Sequence, residues 1–382
     1  MPQESFFATC PRGLEIMMGE ELSQLGATGV TPVDAGVAFF GSRETAMRAN
    51  LESRLASRIL WLRDTGVYTD AQDIYEAALR LPWEQWVSPD LTLRVDTQAH
   101  RSPLKSLDFV TLRVKDAICD RFRDRFQKRP SVDTRAPDMR VHVYVTENRY
   151  HLYLDTTGDA LFKRGLRMEA GLAPLKKNLA AGILRLADWR PGVSLLDPFC
   201  GSGTFLVEAA EQALDRAPGL GRTFGFEKLQ GWPQDIWRTL KAEAAGRSQP
   251  PRPLPLWGYD LKGDALESAR HNLTAAGLQD CVQLKQVNFL ESSPPAPSGI
   301  IVTNPPYGVR MGEQEELARL YPLIGDVLKQ RYTNWSAYFF TADRRLTQLI
   351  RLKTSRKTPL FNGALECRLF EIRIMAGSHR KT

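Results

Sequence analysis

Residues 194–204 have the sequence Ser-Leu-Leu-Asp-Pro-Phe-Cys-Gly-Ser-Gly-Thr, which predicts a strand, a tight loop and the start of a helix. The strand is Ser194–Asp197, and Thr204–Asp215 has the apolar spacing of the helix that follows it. Gly201 and Gly203 allow a sharp turn and let a ligand lie against the backbone. A strand, a glycine loop and a helix in this order are typical of the first unit of an α/β fold.

Strands and helices continue to alternate after this unit. A helix is predicted at Asp264–Ala276, with further strands at Leu256–Asp260, Val282–Asn288 and Ile300–Thr303. The long connection 216–255, which contains glycines, prolines and two tryptophans, is expected to be functional or partly ordered. The alternation predicts a doubly wound, mostly parallel sheet.

The glycine loop favours a particular kind of ligand. It lacks the Lys-Ser/Thr pair of a phosphate-binding loop, and Leu206 stands where a dinucleotide-binding loop has its third glycine. Asp197 provides a carboxylate, and no basic residue accompanies it between 197 and 204. The loop therefore suits a cationic nucleoside without phosphates, such as S-adenosylmethionine. A simple turn at the entry of a helix is the alternative.

Polar residues also end the neighbouring strands. Asp260, followed by Leu261, is placed to accept hydrogen bonds from both hydroxyls of a ribose. Asn288, followed by Phe289, is placed to bind the amino group of an adenine. Taken singly, each is as readily a helix cap or a turn residue. Because the carboxyl ends of parallel strands meet at one edge of a sheet, we expect these side chains to converge with Asp197.

The fourth strand leads directly into Asn304-Pro305-Pro306-Tyr307. The two prolines end the strand. The Asn304 side-chain carbonyl and the Pro305 backbone carbonyl are two acceptors for the N–H groups of an exocyclic amine, Pro306 fixes their geometry, and Tyr307 can stack on the base. The motif resembles the catalytic motif of methyltransferases that modify exocyclic nitrogens of nucleobases. A proline-rich turn within a core is the alternative.

The first 160 residues have a mixed pattern. Strands are predicted at Ser5–Thr9 and Gly36–Phe40, and helices at Leu14–Leu25 and Arg43–Leu62. In the second helix, one buried face is expected to contain Leu51, Leu55, Ile59 and Leu62.

A second mixed region runs from about 67 to 160. It is predicted to contain a helix at 71–80, a strand at Leu91–Thr97, a long helix at 107–126, and strands at Arg140–Thr146 and Tyr150–Asp155. On the long helix the expected core residues are Phe109, Leu112, Ile118, Phe122 and Phe126, and the opposite side is basic.

The net charge of +7 is unevenly distributed. Residues 1–99 contain 8 basic and 14 acidic side chains, residues 100–170 contain 15 and 10, and residues 344–382 contain 10 and 2. A polyanionic partner such as RNA is therefore expected to contact the middle and C-terminal parts. The alternative is that the basic residues only keep the protein soluble.

Length and composition exclude several classes of protein. A chain of 382 residues, 43% hydrophobic and 25% charged, is expected to form two or three globular domains. It has no apolar run of about 18–20 residues, and its first residues, 1–5, lack the basic and apolar regions expected of a signal peptide. Its five cysteines are scattered and form no CxxC pair, which argues against a zinc site or disulfides. We expect a cytoplasmic protein without membrane or metal, with a monomer favoured.

Further segments of the sequence resemble one particular group of these methyltransferases. Residues 161–167 (Leu-Phe-Lys-Arg-Gly-Leu-Arg) and 173–181 (Ala-Pro-Leu-Lys-Lys-Asn-Leu-Ala-Ala) resemble the motif before the catalytic domain in guanine-N2 RNA methyltransferases that carry a THUMP domain. The front of the chain, Cys10-Pro11-Arg12-Gly13-Leu14-Glu15, resembles the N-terminal half of the large-subunit rRNA enzymes of this family. The family's C-terminal signature is matched by Arg356-Lys357, Leu360-Phe361-Asn362-Gly363 and Glu366-Cys367-Arg368-Leu369-Phe370.

This resemblance, which spans nearly the whole chain, implies a domain order and a reaction. It implies a ferredoxin-like α+β domain at 1–66, a THUMP RNA-binding domain at 67–160 and a Rossmann-like class I methyltransferase domain at 161–382. The implied reaction transfers a methyl group from S-adenosylmethionine to the N2 atom of a guanine in 23S rRNA. Because the fused enzymes of some bacteria have a second methyltransferase half and this chain ends at 382, one methylation activity is expected.

The resemblance also implies a set of site residues. In the family the 173–181 motif borders the methionine end of the cofactor, which implies contacts from Pro174, Leu175 and Asn178. The other implied cofactor-binding residues are Asp197, Phe199, Gly201, Gly203, Thr204, Asp260, Leu261, Asn288 and Phe289. The implied catalytic residues are Asn304, Pro305, Pro306 and Tyr307.

Three other functions remain open at this point. A tRNA guanine-N2 methyltransferase has the same domains, although the C-terminal signature favours rRNA. A DNA adenine-N6 methyltransferase shares the Asn-Pro-Pro-Tyr motif, but the small α/β front end differs from a base-reading DNA domain. An RNA-binding assembly factor with an inactive site is disfavoured because Asp197, Asp260 and Asn304 are all present.

Overall fold

The computed structural model describes residues 3–164, 175–305 and 311–374. The chain divides into two compact units. The N-terminal unit consists of Met1–Cys10, Met18–Leu161 and Gly219–Glu243. The C-terminal unit consists of Pro11–Met17, Phe162–Pro218 and Ala244–Thr382. Among these segments, the short ones Pro11–Met17 and Gly219–Glu243 are each flanked on both sides by residues of the other unit.

The N-terminal unit is built on a single seven-stranded sheet. Its neighbouring strands are antiparallel except for one parallel pair. The elements of this part of the chain are β1 (Glu4–Thr9), α1 (Glu15–Gln24), β2 (Thr28–Val33), β3 (Gly36–Gly41), α2 (Arg43–Glu52), β4 (Arg58–Val67), α3 (Ala71–Arg80), β5 (Leu93–Ala99), α4 (Leu107–Phe126), β6 (Met139–Val145) and β7 (Arg149–Asp155). The strand order is β2-β3-β1-β4-β7-β6-β5, and β5 and β6 are the parallel pair.

The predicted helix Arg43–Leu62 is wrong in its second half. The helix α2 ends at Glu52, and Ser53 already has extended backbone. The strand β4 begins at Arg58 and lies between β1 and β7 in the centre of the sheet. Its pairing with two strands distant in sequence satisfies the backbone of this segment, and this outweighs the helical spacing of the apolar residues.

The helix α4 occupies the predicted range, but its buried face differs from the expected one. Ile118 and Phe122 are buried as expected, whereas Phe109, Leu112 and Phe126 are 55%, 52% and 51% exposed. The buried residues are spaced three or four positions apart and most have smaller side chains than the exposed ones. This allows α4 to pack closely against β5. The other members of this stripe are Val110, Val114, Ala117 and Cys119.

The predicted doubly wound, mostly parallel sheet is confirmed in the C-terminal unit. Five adjacent strands are parallel, and one long strand near the edge is antiparallel to both neighbours. The elements from residue 175 onward are α5 (Lys177–Leu186), β8 (Leu195–Asp197), α6 (Thr204–Ala213), α7 (Gln234–Arg247), β9 (Leu256–Asp260), α8 (Gly263–Ala275), β10 (Gln283–Gln286), β11 (Gly299–Thr303), α9 (Met311–Arg331), β12 (Trp335–Thr341), α10 (Leu346–Leu349), β13 (Arg356–Asn362) and β14 (Leu365–Arg373). The strand order is β10-β9-β8-β11-β12-β14-β13.

One side of this sheet packs against α9. Ile301 of β11 and Phe339 of β12 belong to the same buried cluster as Ile324 and Leu328 of α9. This core holds the end of β11 in place, and that end leads into the Asn304 motif. Within the described ranges, none of the helices combines the length and the apolarity needed to cross a bilayer.

Candidate active site

Three neighbouring parallel strands end at one edge of the C-terminal sheet. Asp197 is the last residue of β8, Asp260 is the last residue of β9, and Thr303 is the last residue of β11. Asn304, half-buried, and Pro305, buried, follow Thr303 directly. The structure therefore brings the two predicted carboxylates and Asn304 to the same edge, as expected for parallel strands in the order β9-β8-β11.

The glycine loop after β8 is shaped by two left-handed residues. Gly201 has φ +51° and Gly203 has φ +77°, a region that favours glycine. A Cβ atom placed on Gly201 would meet nothing within 4 Å, so there is open space on that side of the loop. Gly203 precedes the first turn of α6, which begins at Thr204, and Thr204 is 7% exposed.

Asp260 fastens this loop to the neighbouring strand. Its Oδ2 atom accepts a hydrogen bond from the Gly201 N–H at 3.0 Å, and its Oδ1 atom accepts one from the Lys262 N–H at 3.0 Å. Each carboxylate oxygen has a further lone pair, so two more donors, such as ribose hydroxyls, fit the same side chain. Leu261 lies beside it with 63% of its surface exposed. Two carboxylates, an open glycine and an exposed apolar side chain fit a cationic nucleoside cofactor.

Asp197 is 2% exposed and lies beneath the loop. Its Oδ1 atom accepts hydrogen bonds from the Thr303 hydroxyl at 2.7 Å and from the Phe199 N–H at 3.3 Å. Burial raises the pKa of Asp197 to about 7, a value that already includes the lowering effect of the two hydrogen bonds and the raising effect of the nearby Asp260 charge. Burial, followed by the charges of Asp197 and Asp260, also raises the pKa of the Cys200 thiol.

Phe199 and Phe289 form an aromatic wall next to the loop. Their ring centroids are 5.9 Å apart with an interplanar angle of 58°. Phe289 is 3% exposed and continues into a second contact with Tyr332, at 5.3 Å. Two predicted cofactor-side residues from different segments are therefore in contact in the structure.

Asn288 lies beyond the end of its strand. The sequence predicts a strand that runs to residue 288, but β10 ends at Gln286, and Asn288 caps a short 3₁₀ turn at Phe289–Glu291. Its Oδ1 atom accepts a hydrogen bond from the Leu290 N–H at 3.0 Å. The amide oxygen is thus engaged in capping this turn, and its role in binding an adenine amino group stays a prediction.

Of the remaining predicted site residues, two are buried at or near α5 and three lie outside the described residues. Leu175 is 8% exposed, and Asn178 lies fully buried in the first turn of α5, which packs against α6. Pro174, Pro306 and Tyr307 lie outside the described residues. In the parts of the chain that the structure describes, no cluster of three or more His, Cys, Asp or Glu residues is arranged to hold a metal ion.

Thr303 was not among the residues predicted from the sequence. Its hydroxyl interrupts the otherwise apolar run Ile300-Ile301-Val302, immediately before Asn304. A buried hydroxyl in this position requires a partner, but the sequence does not reveal that the partner is the carboxylate of Asp197.

Family models match three consecutive parts of the chain. Residues 5–60 match the RlmL ferredoxin-like domain, residues 68–155 match the THUMP domain, and residues 164–371 match the RMKL-like methyltransferase domain.

Relatives of similar sequence cover almost the entire chain. "Putative RNA methyltransferase slr0064" of Synechocystis sp. is 41% identical over 96% of this chain and 96% of its own length. "Ribosomal RNA large subunit methyltransferase K/L" of Syntrophotalea carbinolica is 43% identical over 97% of this chain but 53% of its own length. The chain thus spans about half the length of this K/L relative.

A solved structure shares the fold over its full length. The structure of "SMU.472, a putative methyltransferase complexed with SAH" superimposes with a TM-score of 0.89 at 29% identity, covering 100% of both chains.

Proposed function

The chain belongs to the RMKL-like family of S-adenosylmethionine-dependent RNA methyltransferases, and on this basis we propose that it methylates the exocyclic N2 amine of a guanine in large-subunit (23S) rRNA. The three matched domains and the name of the K/L relative support this choice of RNA. The basic middle and C-terminal parts of the chain are consistent with a structured RNA, which proteins hold mainly through backbone and shape contacts.

One observation carries the proposed chemistry. Asn304 directly follows β11, and β11 is the immediate neighbour of β8, the strand that ends in the glycine loop. The side chain that would hold the target amine and the loop that would hold the cofactor therefore begin at adjacent points of one sheet edge. Transfer reactions depend on this kind of proximity and orientation.

The residues of this edge can make a poor nucleophile reactive. The lone pair of the guanine N2 atom is delocalised into the ring, so the amine attacks slowly. The Asn304 side-chain carbonyl and the Pro305 backbone carbonyl accept one N–H each, which draws the nitrogen toward a tetrahedral shape and frees its lone pair. S-adenosylmethionine, when bound, supplies a methyl group activated by the sulfonium.

Extruding the target guanine costs free energy, which contacts between the protein and the rest of the RNA must offset. A guanine within a helix or a stacked loop must be extruded to reach Asn304, at a cost of a few kcal/mol. The basic C-terminal segment 344–382 and the region that matches the THUMP domain offer the contacts that hold the remaining RNA. Specificity would then come from RNA shape at a distance and from the two carbonyls at the base.

The substrate assignment is tested with separate pools of RNA and DNA. The protein is incubated with labelled S-adenosylmethionine and 23S rRNA, tRNA or duplex DNA, and the products are digested to nucleosides and analysed by mass spectrometry. We expect N2-methylguanosine from the rRNA pool. Label in tRNA but not in rRNA would show that tRNA is the substrate. N6-methyladenine among the products would show that the target base is adenine and not guanine. Lack of cofactor binding would identify an inactive RNA-binding factor.

The catalytic assignment is tested with a pair of substitutions. Asn304→Ala should lower kcat by about a hundredfold with little change in cofactor affinity, because it removes an interaction made in the transition state. Asp260→Ala should instead weaken cofactor binding, measured by calorimetry with S-adenosylhomocysteine. Full turnover in Asn304→Ala would eliminate the two-carbonyl mechanism, and unchanged affinity in Asp260→Ala would eliminate the ribose contact.

A further inference from the structure

A buried hydroxyl joins the two halves of the candidate site. Thr303 is fully buried, and its Oγ1 atom donates a hydrogen bond of 2.7 Å to Oδ1 of Asp197, which is 2% exposed. Thr303 ends β11 and Asp197 ends β8, and these strands pair in parallel with Ile301 opposite Leu196. The bond therefore lies just beyond the last paired residues, where the two strands release their loops.

The two residues that share this hydrogen bond directly adjoin the Asn304 motif and the glycine loop. Thr303 immediately precedes Asn304. Asp197 opens the glycine loop and also receives the Phe199 N–H, so it fixes the path of that loop. We propose that Thr303 is a positioning residue, whose hydroxyl keeps the Asn304 segment aligned with the cofactor loop. This rests on the proposed function in that Asn304 holds the target amine.

The strength of this link depends on the charge of Asp197. A hydrogen bond to an ionised carboxylate is roughly twice as strong as one between neutral groups. The titratable groups that act on Asp197 are the Asp260 carboxylate and the neutral Cys200 thiol, and burial together with the charge of Asp260 raises the pKa of Asp197 to about 7. The Thr303 hydroxyl counteracts that rise because it stabilises the ionised form. Removing the hydroxyl should therefore raise the pKa of Asp197 further.

Two substitutions separate the hydroxyl from the shape of the side chain. Thr303→Val keeps the branched shape and removes the donor, and Thr303→Ser keeps the donor and removes a methyl group. We expect Thr303→Val to lower kcat by about tenfold, with a smaller change in the KM for RNA. We also expect the pH dependence of S-adenosylhomocysteine affinity, followed between about pH 6 and 9, to move to higher pH. Thr303→Ser should recover most of both losses.

A double substitution tests whether Thr303 acts through Asn304. If it does, adding Thr303→Val to Asn304→Ala should lower kcat little further, because residues that act as one unit give non-additive effects. Fully additive losses would show that Thr303 works independently of Asn304 and would overturn the positioning role. Full turnover in Asn304→Ala with impaired Thr303→Val would instead reject the proposed use of Asn304, so the two failures are distinguishable.

The remaining outcomes also decide the matter. Wild-type kcat and an unshifted pH profile in Thr303→Val would overturn the proposal. Equal losses in the Val and Ser variants, accompanied by a lower melting temperature, would show that packing rather than the hydroxyl is important. If Thr303→Val does not fold, Thr303→Ala removes the same donor without placing a methyl group against Asp197, and its comparison with Thr303→Ser gives the same decision.

Discussion

Two segments of this chain belong to a different unit from the residues that flank them in the sequence. The short segment Pro11–Met17 leaves the front of the chain and joins the C-terminal unit, whereas the long segment Gly219–Glu243 leaves the methyltransferase sequence and joins the N-terminal unit. The two are held by different means, and this contrast shows how segment length determines the interactions that can fix a segment.

The short segment is held by close approach. Gly13 has φ +92°, and a Cβ atom there would lie 2.6 Å from the Pro359 carbonyl oxygen. Leu14 is fully buried, and it occupies the space where a Cβ on Gly182 of α5 would stand, 2.4 Å from its Cδ1 atom. Arg12 lies over the ring of Phe361 at 4.8 Å. A segment this short has little surface to bury, so it depends on glycines that permit tight contact.

The long segment is held by aromatic stacking. Trp237 meets the Phe226 ring edge-on at 4.9 Å, and Trp232 stacks on the same ring at 5.2 Å. Trp232 also meets Trp61 of β4 at 5.7 Å, with Arg43 lying over the Trp61 ring at 4.9 Å. This segment contributes part of its own core, and large aromatic surfaces dominate the stability of such contacts.

The largest effect is expected from the aromatic anchor of the long segment. Trp237 is 1% exposed, so Trp237→Ala should lower the free energy of unfolding of the N-terminal unit by about 3–5 kcal/mol. Hydrogen exchange resolved by segment measures each unit separately. Its indole N–H has no hydrogen-bond partner within the described residues, so Trp237→Phe should lose packing only, about 1–2 kcal/mol. Equal losses in both variants would contradict the packing explanation.

A somewhat smaller effect is expected from the apolar residue of the short segment. Leu14→Ala should destabilise the C-terminal unit by about 2–4 kcal/mol, since it leaves a cavity against α5. Leu22→Ala is the matched control, because Leu22 is equally buried, in the helix α1 that directly follows Leu14, but belongs to the N-terminal unit. Exchange protection should fall in the C-terminal unit for Leu14→Ala and in the N-terminal unit for Leu22→Ala. The same pattern in both would remove the distinction between the segments.

The smallest effect is expected from a substitution that tests only the close approach of Gly13 to its neighbouring backbone. Gly13 and Gly192 have nearly the same φ, +92° and +93°, but a Cβ on Gly192 meets nothing within 4 Å. Gly192→Ala should therefore cost about 1 kcal/mol from backbone conformation alone. Gly13→Ala should cost about 1–2 kcal/mol more, because a carbonyl oxygen must move. Denaturant unfolding followed in the C-terminal unit measures the difference, and equal costs would mean that the short segment adjusts freely.

The parallel strands and their polar ends were predictable because their signals are local. Apolar runs such as Ile300–Thr303 stop abruptly at prolines or glycines, and a buried parallel strand needs no partner nearby in sequence to be recognised. The glycine loop and the position of Asn304 followed from the same pattern. The carboxylates of Asp197 and Asp260 lie at one edge because parallel strands leave no other arrangement.

The errors arose where distant residues decide the local structure. The residues from Arg58 to Leu62 have helical spacing, but they became part of β4 because β1 and β7 supply the hydrogen bonds of that strand. On α4, the apolar residues Phe109 and Leu112 match a helical face, yet the smaller side chains of Val110 and Val114 are the ones buried. Asn288 caps a short turn because β10 ends earlier than its sequence suggests.

Local sequence signals were enough to predict the α/β class of the C-terminal part, the loop that suits a cationic nucleoside, and the amide-proline motif placed after a strand. The folded chain was needed to show which unit contains Pro11–Met17 and Gly219–Glu243, and that the Thr303 hydroxyl donates a hydrogen bond to Asp197. The two kinds of information differ in the sequence distance over which the underlying interactions act. Backbone propensity and periodicity act over a few residues and can be recognised in the sequence, whereas the partner of a buried group is a residue far along the chain, which only folding brings within a hydrogen-bond length or a ring contact.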